Sequence, residues 1–419
     1  MTLRNKLLAM ALLPLVVVLP LLGAFLLWWG SDAFDSLLLT KVRSDLAVAQ
    51  GDFERVLAEV GTAIGAVADS HALHLALAAP QADVEPLLQA VKQRAGLDFI
   101  HFEAAGSGAT DTMDRTSVEI LDPGRQALLL DGPMRERVAV PLVPTLNASP
   151  SQRTREERAL VLLASRAVRD DRGRLLGRLQ GGVLLNRNLP FIDHLNEIVY
   201  PRDSLPFSDW GSRGTATLFL DDVRISTNVR LFGAEQEERA IGTRVSQQVR
   251  DAVLLRGSTW LGRAFVVNDW YVSGYQPLAD GQGRRIGMLY VGILEAPFTR
   301  LKYGALASIG AIFFAVMVAA AFVSLRWARA IFSPIERMEA TMRQVEGGAL
   351  QARVGPVDSR DEIGRLASHL DHLLATLQRW NADLDAKVAE RTRQLQEAQS
   401  RLLRSEKLAT VGQLTASIA

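Results

Sequence analysis

Apolar positions in this chain follow three patterns, and each predicts a different kind of element. The first pattern is continuous. Leu7–Trp29 and Tyr303–Leu325 are two runs of 23 residues without a charge. As helices rising ~1.5 Å per residue they span about 35 Å, enough for a hydrocarbon core of about 30 Å. Helices buried in soluble domains rarely stay apolar on every face over such a length, so both runs predict membrane spans. A cleaved leader fits the first run less well. Its apolar stretch exceeds the ~7–15 residues of a signal core, and no small-x-small site precedes Trp28-Trp29-Gly30. Arg4 and Lys6 precede the first span, Asp32 and Asp35 follow it, and Arg326 and Arg329 follow the second. The positive-inside rule then puts both termini in the cytoplasm and residues 30–302 outside it, with Arg300 and Lys302 running against the trend.

Between the spans the periods mix. From Asp32 to about Ala79 there is no proline, and Leu, Ala and Val recur at three- and four-residue spacing, which predicts one long helix. Further on, Ala164–Leu184 (ASRAVRDDRGRLLGRLQGGVL) aligns without a gap on Gly274–Leu294 (GYQPLADGQGRRIGMLYVGIL) at an offset of 110 residues. Asp170, Gly173, Arg174, Gly177, Leu179 and Gly182 match Asp280, Gly283, Arg284, Gly287, Leu289 and Gly292. Each copy reads as strand, polar turn with Gly, strand, which is a hairpin signal. Turns favour Asp and Gly for general reasons, but related apolar runs accompany both copies, so two duplicated structural units are expected.

After Arg329 the third pattern begins. Ser333-Pro334-Ile335 predicts a helix start with Pro in the first turn. Ile335, Met338, Met342 and Val345 follow at spacings of three and four, a coiled-coil stripe that Gly347-Gly348 should end. A connector with Leu350 and Val354 leads to Asp361-Glu362, acids suited to the positive end of a helix dipole. A second stripe follows: Ile363, Leu366, Leu370, Leu373 and Leu377. From Trp380 the helix is expected to continue as a coiled coil through Leu384, Val388, Leu395, Ala398 and Leu402, with Arg391 interrupting the seam. Leu408, Val411, Leu414 and Ile418 supply the next apolar face. Neither stripe can bury itself alone, so a second copy is expected.

Composition narrows the chemistry. The formal net charge is +1, which gives no field for nucleic acid. There is no cysteine, hence no disulfide, thiolate catalysis or cysteine-ligated zinc. His71 and His74 are too few ligands for a metal, so no metal site is expected, and His369 and His372 should face solvent. Gly106-Ser107-Gly108 lacks the lysine of a phosphate loop, Asn147-Ala148-Ser149 is a sequon by pattern only, and no catalytic residue stands out. In the second external unit Arg224, Thr227, Asn228, Arg244, Trp270, Tyr271 and Tyr275 sit in or beside predicted strands. Guanidinium forks suit carboxylates and aromatic walls suit compact organic groups. The competing expectation is that Arg244 pairs locally while Trp270 and Tyr275 pack in the sheet.

Three resemblances carry the functional expectation. The early Pro334, the hinge glycines and Asp361-Glu362-Ile363-Gly364, directly after a span, resemble a HAMP domain, which implies a parallel four-helix bundle and a relay role for Pro334, Glu362 and Gly364. The anchored helix and two units with terminal hairpins resemble a double Cache sensor. The blocks Thr215–Val229, Ile241–Ser246 and Arg263–Leu278 look like its membrane-proximal unit, and in that family the distal unit often binds the ligand. Finally, Ser405–Ala419 (SEKLATVGQLTASIA) is similar to the start of the phospho-acceptor helix of bacterial sensor histidine kinases, in which His-Glu follows at once.

The resemblances imply an α+β membrane protein: two transmembrane helices flank an external double Cache domain with PAS-like antiparallel sheets, followed by an all-α HAMP and a parallel dimeric coiled coil. The expected order is a cytoplasmic N-terminus (1–6), the first span (7–29), the long helix and distal unit (30–200), the proximal unit (201–302) and the second span (303–325). HAMP (326–379), the coiled coil (380–404) and the start of the dimerisation and phosphotransfer helix (405–419) complete it. The chain would be the sensing and transmitting part of an inner-membrane histidine kinase, truncated before its acceptor histidine and inactive alone. ATP and Mg2+ would be cofactors of the full-length parent only. The implied partners are a second copy, the membrane, a small extracytoplasmic ligand and, for the parent, a response regulator. A chemoreceptor or a cyclic-dinucleotide enzyme with the same front half is the alternative, and a natural short form that makes inactive heterodimers is a third.

Overall fold

The computed structural model describes residues 13–78, 84–106, 114–201, 204–205, 214–231, 238–357 and 361–416, without the side chains of 14–15 and 406–416. The expectations for residues 1–6, including Arg4 and Lys6, for Ser107 and Gly108, and for the side chains of Leu408–Ile418 lie outside the described residues. The chain divides into two compact units. One is Trp28–Ala307, the other Met1–Leu27 with Ser308–Ala419.

In Trp28–Ala307 the organising element is α1, Leu19–Ala68, which continues unbroken from the first apolar run. Val42, Leu46, Ala49, Phe53, Val60, Ile64 and Ala68 form its buried stripe, at spacings that return to one helix face. The expected helix to Ala79 is interrupted. α1 ends at Ala68 and α2, His71–Ala78, restarts where the Ser70 hydroxyl caps the amide of Leu73 at 3.2 Å. α3 follows at Glu85–Arg94.

Two antiparallel sheets pack along the α1 stripe. The distal sheet has order β1-β6-β5-β2, from β1 (Phe99–Ala104), β2 (Arg115–Leu121), β5 (Ala159–Arg169) and β6 (Leu175–Leu184). Between β2 and β5 come α4 (Pro123–Leu129), α5 (Gly132–Val138) and the ribbon of β3 (Val140–Pro141) with β4 (Arg155–Glu156). α4 and α5 cover the sheet face that α1 leaves open: Leu129, Leu130, Met134 and Val138 close over Phe99, Leu121, Ala159, Val161, Leu163 and Leu184. α6, Leu189–Val199, then packs on the first strands of the second sheet, so the proximal unit includes residues before the boundary expected at 200.

The proximal sheet has order β8-β7-β11-β10-β9, from β7 (Gly214–Leu220), β8 (Val223–Thr227), β9 (Trp260–Val266), β10 (Asp269–Ala279) and β11 (Arg285–Leu294). The two hairpins predicted from the repeat are β5–β6 and β10–β11, and they match in detail. Asp170 and Asp280 each accept the amide of the matching glycine, Gly173 or Gly283, and a side-chain bond from Arg174 or Arg284. The registers slip at equivalent points, Val168/Arg169 and Leu278/Ala279. Gly173 and Gly283 both take positive φ, 77° and 78°, which only glycine adopts without strain.

α8, Glu295–Glu346, runs from the end of β11 through the second apolar run and passes into the other unit at Ser308. Pro334 lies inside this helix and does not open a new one. The helix entering from the apolar run already fixes the backbone there, so the proline costs one intrahelical bond instead of starting a helix. The helix ends as expected at the glycines. Ala349 donates to Gln344 and Gly348 to Val345, both at 3.0 Å, with Gly348 at φ 97°; this is a Schellman closure. α9, Glu362–Ala416, is capped by Asp361, which accepts the amides of Ile363 and Gly364 at 2.9 and 3.2 Å. The connector is clipped to α9 by Asp371, which accepts from Val354 and Gly355 at 2.8 and 3.1 Å. Val354 thereby enters a small core with Met338, Ala367, Ile363 and Leu370. Ala367 and Leu374 are buried although neither belongs to the predicted stripe, while Met342, Leu366, Leu373 and Leu377 stay exposed in the single chain.

Candidate ligand site in the membrane-proximal unit

Strand alternation sends one set of proximal-sheet residues toward α1 and the other toward the segments 229–231 and 238–256. The second set is mixed. Phe219, Ala264, Val266, Tyr275, Met288 and Tyr290 supply the apolar surface beneath Val229, Ala240, Val245, Val249, Ala252, Val253 and Leu254. A bulge between Leu218 and Phe219 sets Arg224 opposite Phe219 in the β7–β8 pair, and both side chains enter this layer. The Arg224 guanidinium carbon lies 5.1 Å from the Phe219 ring centre, a cation–π contact. The rings of Tyr275 and Tyr290 lie 4.7 Å apart at a tilt of 47°, and Phe219 meets Tyr290 edge-on at 6.5 Å.

Arg224 is 3% exposed. Nη1 donates to the Thr243 hydroxyl, and Nε has no partner. Among the described residues no carboxylate pairs with it. Burial lowers its pKa, an effect that the neighbouring tyrosines Tyr275, Tyr290 and Tyr271 only partly offset. Close by, the Ser273 hydroxyl is buried without a partner of good geometry, and Tyr290 shares its hydroxyl with Thr215 at 3.2 Å. Burial pushes Tyr275 and Tyr290 upward, so both hydroxyls stay protonated and able to donate. The layer thus offers a cation and several neutral hydroxyls, with no anion among the described residues. The matching face of the distal unit also buries an arginine, Arg178, but it donates to the Ser165 hydroxyl at 3.1 Å, and a carboxylate, Glu119, is buried on the same face.

The other expected residues separate. Tyr271 and Tyr275 share the Arg224 face. Thr227 bonds Thr217 at 2.7 Å, and Asn228 accepts the amide of Ala216 at 2.8 Å; both extend the β7–β8 ladder. Trp270 turns to the opposite face and is 49% exposed. Arg244 is committed elsewhere. Its Nε donates to Asp222 at 3.0 Å and its Nη1 to the Ser149 carbonyl at 2.6 Å. With Arg153, Arg158 and Glu156 it lines a polar cleft of about 560 Å³ between the ribbon β3–β4 and the β7–β8 turn. Arg244 therefore fastens the two external units together. Of the relay residues, Glu362 is exposed beside Arg365 at 2.9 Å, and Gly364 is held by the Asp361 cap.

Sequence reasoning did not single out Phe219, Thr243 and Tyr290, or the Glu156–Asp222 cluster. Tyr290 stands two residues before the repeated Gly292, on the same strand face, and that spacing was its only available signal.

Comparison with known families agrees with this architecture. The family described as "Single cache domain 3" matches residues 183–304, and the HAMP domain matches residues 328–379. Comparison with curated proteins returns no match. Among solved structures, the periplasmic domain of Vibrio cholerae LuxQ is 13% identical, with a TM-score of 0.35, covering 60% of this chain and 98% of its own. The sensory domain of the Campylobacter jejuni chemoreceptor Tlp3 is 11% identical, with a TM-score of 0.32, covering 66% of this chain and 98% of its own. The ligand-binding domain of the Pseudomonas aeruginosa amino-acid chemoreceptor PctB, solved with L-Arg, is 14% identical, with a TM-score of 0.28, covering 62% and 94%. With two apolar helices long enough to cross a membrane on either side of the Cache domain, the chain is a transmembrane signalling receptor that joins an external Cache sensor to a HAMP domain.

Proposed function

We propose that this receptor is the sensing and transmitting part of an inner-membrane sensor histidine kinase, and that its proximal unit takes a small anionic ligand. The observation that carries the ligand class is Arg224, a buried guanidinium with a free Nε and no carboxylate partner among the described residues. An uncompensated charge in a protein interior costs several kcal/mol or more, and a bound carboxylate would offset that cost while accepting from Nε and nearby hydroxyls. The distal face also buries an arginine, Arg178, but with the Glu119 carboxylate on the same face. No carboxylate faces Arg224 among the described residues, which favours the proximal unit.

The kinase reading is supported by the Ser405–Ala419 text carried on α9, a helix running unbroken from the HAMP region to Ala416. Ligand binding would displace α8 slightly, since β11 leads into it without a linker. HAMP would repack between two arrangements and bias the coiled coil. The exposed Met342, Leu366, Leu373 and Leu377 support a homodimer in which a second copy covers them. Both termini would be cytoplasmic. In the complete protein a histidine after Ala419 would take phosphate from ATP bound with Mg2+ by a further domain, and pass it to a response regulator. A chemoreceptor with the same front half is the rival.

Two experiments test this. The first melts the full chain in nanodiscs with acetate, pyruvate, succinate and, as a control, methylamine. A saturable rise with one acid that Arg224→Met abolishes supports the site; a rise that survives the substitution, or with methylamine alone, overturns it. The second reads the gene past Ala419. His-Glu supports the kinase class, and any other continuation removes it.

A further inference from the structure

The cleft at the junction of the two external units carries more hydrogen-bond donors than its own acceptors can take up. It has a volume of about 560 Å³, and five arginines and four acids line it. Two of the acids, Glu156 and Asp222, are buried, and both oxygens of each are already occupied. Oε1 of Glu156 accepts Nε of Arg158 at 2.8 Å and two backbone amides, and Oε2 accepts Arg158 and Arg153 at 2.8 and 3.0 Å. Asp222 takes Arg153 on one oxygen at 2.9 Å and Arg244 on the other at 3.0 Å. Carboxylates held in this way orient the guanidinium groups that they bind. The arginines are therefore positioned before any ligand arrives, which lowers the cost of binding one.

Their donors are not exhausted. Among the described residues, Nε of Arg153 and Nη1 of Arg158 have no acceptor, and the Arg155 side chain makes no bond at all. Asp221 stands 3.8 Å from both Arg153 and Arg158, too far for a hydrogen bond. The Arg153 and Arg158 side chains are 38% and 42% exposed, and Arg155 is exposed, so a ligand in the cleft can reach all three. A carboxylate presents two oxygens in one plane, enough for one guanidinium fork. A phosphoryl or sulfuryl group presents three or more oxygens in different directions, and so accepts from several forks at once.

We infer that this cleft binds a tetrahedral oxyanion, phosphate or sulfate, free or as an ester on a small polar molecule, held by Arg153, Arg155 and Arg158. Bound there, it would join the distal ribbon β3–β4 to the proximal β7–β8 turn and fasten the two units more tightly. The site is separate from the one proposed above, since Arg224 does not line this cleft.

The test melts the full chain in maltoside micelles, which carry no phosphate, at an ionic strength held constant with sodium chloride. Inorganic phosphate, sulfate and glycerol 3-phosphate are titrated separately, and equilibrium dialysis of each radiolabelled anion reads occupancy directly. The expected result is saturable binding of at least one of the three, with a rise in melting temperature. Preference for inorganic phosphate or sulfate would assign a free ion, and preference for the ester a small organic phosphate. Arg155→Gln, which breaks no bond among the described residues, should weaken the binding by about fivefold or more. It should leave the ligand-free melting temperature unchanged. Arg224→Met should leave the binding intact. The inference is overturned if none of the three anions binds saturably, if Arg155→Gln leaves binding unchanged, or if Arg224→Met abolishes it.

Discussion

Arg153 of the distal unit donates to Asp222 of the proximal unit at 2.9 Å, while its other terminal nitrogen reaches Glu156 at 3.0 Å. Asp222 is 1% exposed and also holds Arg244, so one carboxylate joins guanidinium groups from both units. Replacing it by Ala would leave Arg244, at 11% side-chain exposure, without its carboxylate partner. Removing one member of a buried pair costs about 3–5 kcal/mol. Asp222→Ala should lower the unfolding free energy of the external unit by that order in a denaturant titration. A change below about 1 kcal/mol, the range of exposed pairs, would show that the junction carries no load.

Glu156 makes the same junction sensitive to acid. Burial alone would raise its pKa, but bonds from the side chain and backbone of Arg158, with the charges of Arg158 and Arg153, hold it below its ordinary 4.5. The folded state therefore binds this proton less readily than the unfolded chain does. Its contribution is present above 4.5 and is lost as pH falls through the lowered folded value. Melting temperature should fall on acidification below 4.5 more steeply for the native chain than for Glu156→Gln. Parallel curves would refute the assignment.

Asp45 has the opposite sign. Burial raises its carboxyl above the ordinary 3.8, and the bond and charge of Lys41 on the same helix only partly counter this. The Tyr200 hydroxyl also faces it, and neither that hydroxyl nor Oδ2 of Asp45 has a partner of good geometry. The folded state holds this proton more tightly, so stability is greatest below 3.8 and is lost as pH rises through the raised folded value. Asp45→Asn should therefore melt higher than the native chain at pH 7 and show no advantage at the acid end. A variant that melts lower at pH 7 would mean that the Lys41 pair outweighs the burial cost.

Arg224→Met separates a binding group from a structural one. An unpaired buried guanidinium destabilises the empty fold, and an apolar residue of similar length fits the layer of Phe219, Tyr275 and Tyr290. Replacement of buried charge by packed apolar groups is commonly neutral or stabilising by ~1–4 kcal/mol. The variant should be at least as stable as the native chain without ligand. A loss above about 2 kcal/mol would instead show that the cation–π contact and the Thr243 bond justify Arg224 structurally.

Sequence reading reached the two long apolar helices, the duplicated hairpins, the stop at Gly347-Gly348 and the Asp361 cap because each leaves a local mark: a charge-free run, a glycine at positive φ, a capping acid. It missed Ala367 and Leu374 because burial there depends on which side of α9 meets the connector, and a heptad stripe alone leaves that open. The break at Ser70 was marked only by a serine that is equally common inside surface helices. Arg224 and Arg244 read alike in sequence. Only the fold distinguishes them, because Asp222 pairs with Arg244 while the bulge at Phe219 carries Arg224 into the opposite layer.

The repeated turns give an internal control. Asp170 and Asp280 make the same local bonds, each accepting the backbone amide and the guanidinium of the arginine four residues on. They differ in surroundings. The Asp280 turn bridges to Val118 on the edge strand β2, and Gly281 approaches Ser117, Arg115 and Glu119 so closely that a side chain there would displace them. The Asp170 turn makes no such bridge among the described residues, and the Asp170 side chain is 18% exposed against 2% for Asp280. Asp280→Ala should therefore cost more than Asp170→Ala, because it loosens the contact between units as well as the turn. For a domain of this size the gap should be at least about 3 °C in melting temperature. Equal losses would show that the docked turn adds nothing beyond its own hydrogen bonds.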